Sequence, residues 1–368
     1  MPYTLAQGGW ITVVLLLGVA IITCYTALLL QRCMDSDSSI KTYPDVGWHA
    51  FGRKGRIIIS IFMYSTAYLA STGFLLSESD NLHKLFPNVG FKLGEHHIRG
   101  RQLSTVLAGL AILPTMWLKD LSMLSFISAG GNVAIVVIIS SILWVGAVDG
   151  VGFSAKGELF RLGGIPTALS LYVFSYGGHE VFPTIYSSMK DKTRFSEVMF
   201  VSFGLTTLSY MIMATIGYLM FGEDALSQIT LNLPTSKIGS KIAIYTTLVG
   251  PIAKYALIIS PIPHAIEKHL PNSWNIRPVC ILLRTILVIS TVVLGIIFPF
   301  FGYLMALIGA FLNVAVSILI PCACYLKIFE AYKHWSFDLV IILAIFVMAI
   351  SVGFMGTYSS LREIVKQL

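Results

Sequence analysis

The sequence predicts an all-α, polytopic membrane protein with ten membrane-spanning helices. Two observations support this prediction: 56% of the 368 residues are hydrophobic, and only 12% are charged. Soluble domains contain about 25% charged residues, so this chain has too few polar side chains to cover a water-exposed surface. At about 20 apolar residues per span, its hydrophobic residues suffice for about ten helices. The same composition excludes disordered and coiled-coil proteins, which need a polar majority.

The ten predicted spans are apolar runs separated by loops that contain proline, glycine and charged residues. No loop is long enough to fold by itself, so we expect residues 1–368 to form a single transmembrane domain. The runs are Trp10–Leu30, Ile57–Leu76, Leu103–Leu118, Leu121–Val148, Ile165–Met189, Val198–Phe221, Ile242–Ile266, Val279–Phe298, Tyr303–Ile328 and Phe337–Thr357.

The formal net charge of +7 does not indicate a nucleic-acid partner, because the basic residues are spread over the loops rather than gathered in one patch. Loops that follow odd-numbered spans contain 13 of the 25 Lys and Arg residues, against 10 on the opposite side. The positive-inside rule therefore predicts that the loops with 13 lie in the cytosol. The five cysteines have no metal-binding spacing, and we expect neither a metal nor a cofactor.

The fifth span contains the most unusual residues for a membrane helix. Two interpretations fit: a broken helix whose open ends bind a small polar ligand, or a helix kinked at Pro183 and packed against its neighbours. The concentration of polar residues at one point favours the broken helix. A zinc site of the His-Glu-x-x-His type is not predicted, because Pro183 takes the place of the second histidine. The candidate ligand-binding residues of this span are Ser175, Tyr176, Gly177, Gly178 and His179.

Three further positions carry polar side chains within apolar runs. Lys254 in the seventh span is either functional or part of a structural ion pair, for which Glu180 is a candidate partner. Tyr64 and Tyr68 in the second span share a helical face and are added to the candidate ligand-binding residues, although hydroxyl groups there are also typical of helix packing. Arg284 near the end of the eighth span is expected to reach the interface by snorkelling.

These residues combine with several short motifs into a pattern that resembles the amino acid/auxin permease family, and within it the vacuolar amino-acid transporters of plants and fungi. The resemblance extends from Pro2 to the C-terminus. The motifs are Pro2-Tyr3-Thr4 with Gly8-Gly9-Trp10, Thr42-Tyr43-Pro44-Asp45-Val46-Gly47, Leu113-Pro114-Thr115-Met116-Trp117, Gly178-His179 with Val181-Phe182-Pro183, Gly217-Tyr218-Leu219-Met220-Phe221-Gly222 and Gln228-Ile229-Thr230-Leu231-Asn232.

The resemblance implies a LeuT-type fold of two inverted five-helix repeats, in which the fifth span is family helix six. It implies a secondary transporter, not an enzyme, that moves amino acids across the vacuolar membrane, with the plasma membrane as the alternative location. Protons are the implied coupling ion, and Lys254, Glu180 and His179 are the candidate coupling residues. The family's helix one would precede Pro2. We therefore expect family helices two to eleven and a remnant of helix one, in a chain truncated at its N-terminus that inserts but does not transport. A transport-inactive isoform or an amino-acid-sensing membrane protein is the alternative function.

Overall fold

The computed structural model describes residues 1–87, 91–93, 96–98, 100–117, 122–267 and 276–367. Helices coincide with all ten predicted spans, which confirms the predicted fold class; Leu118 and Leu121, at the ends of two predicted spans, lie outside the described residues. The first half of the chain contains α1 (Pro2–Gly8), α2 (Thr12–Asp35), α3 (Tyr43–Leu85), β1 (Phe91–Leu93), β2 (His96–Ile98), α4 (Gly100–Trp117), α5 (Ser122–Ala147), α6 (Ile165–Ser175) and α7 (Phe182–Ser188).

The second half follows the same pattern of long helices and short connections. The ninth predicted span is continuous: the helices Phe301–Leu307 and Ile320–Ile328 are joined by a π-helix at Ile308–Leu319. Seven helical segments of the described chain are long and apolar enough to cross a membrane. The elements are α8 (Phe195–Phe221), α9 (Ile238–Ile259), α10 (Pro261–Glu267), α11 (Ile276–Ile297), α12 (Phe301–Leu307), α13 (Ile320–Ile328) and α14 (Phe337–Gln367).

The helix α6 lies at the centre of the bundle. It packs against α1, α2, α12, the π-helix and α14, and its Tyr172 is completely buried. Outer helices expose apolar side chains instead; on α8, for example, Val201 and Leu205 are 61% and 62% exposed. Such faces are stable against lipid but not against water. The arrangement therefore places the predicted break of the fifth span in the protein interior.

The start of α3 shows how local sequence sets a helix boundary. Thr42 is the N-cap residue, and its backbone N–H donates to the Asp45 carboxylate at 3.0 Å, which is the bond that the third helical residue contributes to a capping box. The Thr42 hydroxyl donates to the same carboxylate at 2.7 Å. Pro44 in the first turn needs no helical acceptor. Ten residues into the helix, Gly52 has φ +64° and bends it. The described β structure is a two-stranded antiparallel hairpin in which Phe91 pairs with Ile98.

Candidate functional site

The fifth predicted span consists of two helices. α6 ends at Ser175, a turn of 3-10 helix covers His179–Val181, and α7 begins at Phe182. Pro183 lies in the first turn of α7, where its missing N–H leaves no hydrogen bond unmade. The chain is therefore broken at residues 176–178, as the first interpretation predicts, rather than kinked at Pro183. We call residues 176–178 the break.

The two glycines of the break serve different purposes. Gly178 has φ +130°, a conformation that residues with a Cβ atom rarely adopt, and no atom of another residue would contact a Cβ placed there. Gly177 is in tight contact instead, since a Cβ atom on it would lie 2.2 Å from Nδ2 of Asn313. One glycine is needed for the backbone conformation and the other for the close approach of a neighbouring side chain.

Asn313 is a site residue that the sequence analysis missed. It lies on the π-helix, is 3% exposed, and donates from Nδ2 to the Phe174 carbonyl oxygen at 3.3 Å. This bond adds a second donor to a carbonyl at the C-terminal end of α6, which also accepts from the Gly177 N–H at 3.1 Å. Its Oδ1 atom is buried and has no partner among the described residues. A single asparagine in an apolar run was the available signal.

The π-helix is bonded to α2 and to the start of α3 by their side chains. The hydroxyl of Thr26 on α2 donates to the Ser317 carbonyl oxygen at 2.7 Å, and the hydroxyl of Tyr43 at the start of α3 donates to that of Val316. π-Helical segments are rare and often occur at functional sites. Here, the π-helix forms the wall that the break faces.

His179 holds the break to α2. Its Nε2 lies 3.0 Å from the Thr23 carbonyl oxygen and 3.1 Å from Oγ1 of Thr26. A carbonyl oxygen can only accept a hydrogen bond, so Nε2 carries a hydrogen. The ring is fully buried, and Nδ1 has no partner among the described residues. A charged ring would bury an unpaired N–H, so the neutral ring fits this environment.

Tyr176 and Ser175 differ in where their side chains point. The Tyr176 hydroxyl lies 2.7 Å from Oγ1 of Thr207, and its ring stacks on Phe203 of α8. Its side chain therefore packs away from the open ends of the break, which leaves only its backbone there. Ser175 lines a cavity of about 310 Å³, which we call the Ser175 cavity. The other residues that line it include Tyr3, Thr4, Phe174, Gln228, Thr230, Thr247 and Met305.

A second cavity, of about 670 Å³, lies on the other side of the break and brings together two of the predicted residues, Tyr64 and Glu180. We call it the Tyr64 cavity. The Glu180 carboxyl bonds its own backbone N–H, while its Oε2 atom is buried without a partner among the described residues. Ser60, Ala67, Thr184, Leu257 and Ile258 are among the other lining residues.

Tyr68 and Lys254 are not among the residues that line either cavity. The Tyr68 hydroxyl donates to Oγ of Ser290 on α11 at 2.9 Å, which is the helix-packing role of the alternative interpretation. Lys254 has an exposed side chain and no hydrogen-bond or ion-pair partner within the described residues. The suggested ion pair between Lys254 and Glu180 is therefore absent from this structure, whose buried carboxylate–cation pairs lie elsewhere.

A polar cluster at the far end of α3 also escaped the sequence analysis. Asp80, with 8% of its side chain exposed, accepts from Arg101 of α4 at 2.7 Å and from Gln228 at 3.1 Å. Gln228 in turn accepts from Ser77 at 2.7 Å and from Asn81 at 2.9 Å. The cluster links α3, α4 and the loop after α8. It lies between the Ser175 cavity, which Gln228 lines, and a wider cavity of about 990 Å³ lined by Asp80 and Arg101.

Comparison with known protein families identifies the family of this chain. The profile of the family described as Transmembrane amino acid transporter protein matches residues 1–362. The chain belongs to this family. Its members are transporters rather than enzymes, in agreement with the prediction from the motifs.

Individual relatives agree with this family membership. The chain is 50% identical over 366 residues to amino acid transporter AVT1I of Arabidopsis thaliana, covering 99% of this chain and 90% of the relative. It is 47% identical to amino acid transporter AVT1J of the same plant, covering 99% and 86%. These proteins are named as amino acid transporters. The family member described here shares their sequence over nearly its whole length.

A solved structure supports the fold. The chain superimposes on the inward facing conformation of Mhp1 with a TM-score of 0.54 at 12% identity, covering 99% of this chain and 86% of that one. At this identity the likeness concerns the fold alone. It confirms the LeuT-type architecture, in which a broken helix lies at the bundle centre, and this family member has that broken helix at α6 and α7.

Proposed function

We propose that this transporter moves amino acids across the vacuolar membrane in exchange for, or together with, protons, and that Glu180 carries the proton. The observation that supports this assignment most directly is the buried, unpartnered Oε2 atom of Glu180 beside the break. An ionised carboxylate is unfavourable in a dry protein interior, whereas the protonated form is tolerated. Glu180 also lines a cavity, so its protonation state can follow whether that cavity is wet.

The assignment favours Glu180 over the other two candidate coupling residues. The Nε2 atom of His179 is bonded to α2, and the ring lines neither of the two cavities beside the break. Lys254 lines neither of these two cavities. Glu180 combines a buried carboxyl oxygen with a place in a cavity wall.

We propose that the substrate binds at the break, between the Ser175 cavity and the Tyr64 cavity. The free ends of two half-helices present carbonyl and amide groups, which suit the charged groups of an amino acid. Ser175 lines one cavity and Tyr64 lines the other. The backbone of Gly177 and Gly178 joins them, while Tyr176, His179 and Tyr68 position the helices through their side chains.

Transport driven by a pH gradient tests the role of Glu180. The full-length protein is reconstituted in proteoliposomes, and uptake of labelled amino acids is measured with and without a gradient, together with exchange at equal pH. One pH unit supplies about 1.4 kcal/mol per proton, or about tenfold accumulation. Glu180→Gln should lose this accumulation and keep exchange. Accumulation by Glu180→Gln at the wild-type level would refute the assignment.

Glu197→Gln is the matched control. Glu197 is an exposed carboxylate that pairs with Arg194 at the start of α8, so its neutralisation should leave both accumulation and exchange unchanged. If the wild-type protein binds amino acids but neither accumulates nor exchanges them, a sensing role replaces transport.

Membrane location needs a separate experiment. The proposal of the vacuolar membrane is supported by the resemblance of the motifs to vacuolar amino-acid transporters. A fluorescent fusion of the full-length protein, expressed in plant cells with separate vacuolar and plasma-membrane markers, should coincide with the vacuolar marker. Coincidence with the plasma-membrane marker would contradict the proposal.

A further inference from the structure

The position of Lys254, a charged residue within an apolar helix, has not been explained by the contacts described so far. It lies near the middle of the helical segment Ile238–Glu267, which is long and apolar enough to cross a membrane. Its side chain is exposed, yet the described residues offer it no hydrogen bond and no ion pair. An ammonium group at membrane depth is stable only beside water or an anion. The surroundings of Lys254 therefore decide what it binds.

Helical register shows which way Lys254 points. Thr247, seven residues before Lys254, and Ile258, four residues after it, lie on the same side of the helix as Lys254. Thr247 lines the Ser175 cavity and Ile258 lines the Tyr64 cavity. The lipid-facing side of α9 is marked by Ile242 and Val249, which are 45% and 58% exposed. At about 100° per residue, Lys254 is turned about 140° away from Val249. It therefore lies on the side of α9 that carries Thr247 and Ile258, one from the wall of each cavity.

Two hydrogen bonds fix the depth of Lys254. The Tyr68 hydroxyl bonds Ser290 at 2.9 Å, and that of Tyr255 lies 2.7 Å from Oγ1 of Thr291. Because Ser290 and Thr291 are adjacent on α11, Tyr68 and Tyr255 lie at the same level of the bundle. Lys254 precedes Tyr255 and so lies about one helical turn beyond Tyr64, at the end of the Tyr64 cavity that faces the Ser175 cavity.

We propose that Lys254 binds the carboxylate of the transported amino acid as it passes between the two cavities. This inference rests on the proposed transport of amino acids and adds the residue that recognises their anionic group. A zwitterionic substrate brings its own carboxylate to a point where the described protein provides no counter-charge. Glu180, the carboxylate beside the break, forms no ion pair with Lys254 in the structure. The lysine is thus available to the substrate.

The ligand class that follows is a small molecule with one free carboxylate. An isosteric carboxamide has the same shape but cannot neutralise the ammonium, and hydrogen bonds to a charged group are the stronger kind. Wild-type protein should therefore bind an amino acid about 10- to 100-fold more tightly than its carboxamide. Without the ammonium group, the amino acid and its carboxamide should bind with nearly equal affinity.

The experiment measures competition at equal pH on both sides, in proteoliposomes of the full-length protein. The probe is whichever of the twenty labelled proteinogenic amino acids exchanges fastest, competed by the same unlabelled amino acid and by its carboxamide. Lys254→Met and Lys254→Gln should lose the preference for the carboxylate, while Lys254→Arg should retain most of it. Lys241→Met, which removes an exposed lysine from the first turn of α9, is the matched control and should behave as wild type.

Two results would overturn the inference. Either neutral variant could keep the wild-type preference for the carboxylate over the carboxamide, which would show that the ammonium does not recognise it. Alternatively, the neutral variants could lose only their response to a pH gradient, which would make Lys254 a coupling residue. Because the competition uses no gradient, failure of the proton role of Glu180 leaves its result unchanged. The two proposals therefore fail separately.

Discussion

The Asn313 side chain packs so closely against Gly177 that no residue with a Cβ atom fits at position 177. A Cβ on Gly177 would lie 2.2 Å from Nδ2 of the asparagine and 2.9 Å from its Cγ, while Nδ2 also bonds the Phe174 carbonyl. The π-helix and the C-terminal end of α6 are thus fitted to each other at the break. This contact borders the substrate site that we propose at the break.

We predict that Gly177→Ala lowers amino-acid uptake by at least about tenfold, and that Gly177→Leu abolishes it, because either side chain must displace Asn313 or the break. Uptake is measured in proteoliposomes after equal amounts of membrane-inserted protein have been confirmed. Adding Asn313→Ala to Gly177→Ala should restore part of the thermal stability by removing the clash. Normal substrate affinity in Gly177→Leu would contradict a substrate site at the break.

The neighbouring glycine provides a contrast. Gly178→Ala meets no atom within 4 Å, so its effect should come only from a strained backbone, worth about 1–2 kcal/mol. Thermal unfolding in detergent should show this modest loss, and Asn313→Ala should not relieve it. Relief by Asn313→Ala at both glycines would show that the asparagine contact is not specific to Gly177.

His179→Ala should destabilise the protein without removing its response to a pH gradient. The variant loses the Nε2–H bond to Thr23 and leaves that buried carbonyl of α2 without this donor, at about 1–3 kcal/mol. The melting temperature in detergent and gradient-driven uptake are measured together. Thr26→Val, which removes the hydroxyl at 3.1 Å from Nε2, should produce a smaller change of the same kind. Loss of the pH response in His179→Ala with normal stability would make the histidine a coupling residue.

Arg101→Met should lower the melting temperature far more than Arg194→Met. Removing Arg101, whose side chain is 39% exposed, leaves the Asp80 carboxylate, 8% exposed, with Gln228 as its hydrogen-bond partner among the described residues, and the loss of a hydrogen bond to a buried group costs about 1–3 kcal/mol. Both members of the Arg194–Glu197 pair are more than 65% exposed, and such pairs contribute about 0–1 kcal/mol. In the combined variant Arg101→Met with Asp80→Asn, much of the loss should be recovered. Equal melting temperatures for the two arginine variants would show that the polar cluster is not needed for stability.

Arg284→Lys should not be a conservative change. The expectation that Arg284 snorkels to the interface is wrong, because its side chain is only 14% exposed and is held inside the bundle. Nε and Nη2 contact the two carboxylate oxygens of Glu267 at 3.0 and 3.4 Å, and Nη1 donates to the Met116 carbonyl at 3.0 Å. A lysine cannot reproduce this fork. We expect a loss of about 1–3 kcal/mol, measured by thermal unfolding, against little change for the exposed Lys333→Arg.

The break shows which features of the site can be predicted from local sequence and which cannot. Adjacent glycines and a proline five residues later are local signals, since each acts on the backbone conformation of its own position. They predicted that the fifth span is interrupted, but not the partners that surround the interruption. Thr23, Tyr210 and Asn313 lie on three other elements and bond residues that flank the break, across 35 to 156 residues of the chain. No pattern within the fifth span contains that information.

The sequence by itself determined that this protein is a helical, polytopic membrane protein and which of its predicted spans is broken; the ends of the helices were predicted less well, since the second span, predicted at Ile57–Leu76, lies within a helix that extends over Tyr43–Leu85. These properties depend on the hydropathy and backbone preference of consecutive residues, because the bilayer requires every span to satisfy its own backbone. Only the tertiary structure decided that Glu180 and Tyr64 share a cavity, that His179 and Tyr68 are bonded to neighbouring helices, and that Lys254 has no ion pair among the described residues. The reason is physical: a polar side chain has the same sequence signature whether it binds a helix or a ligand, and the difference lies in which distant element packs against it.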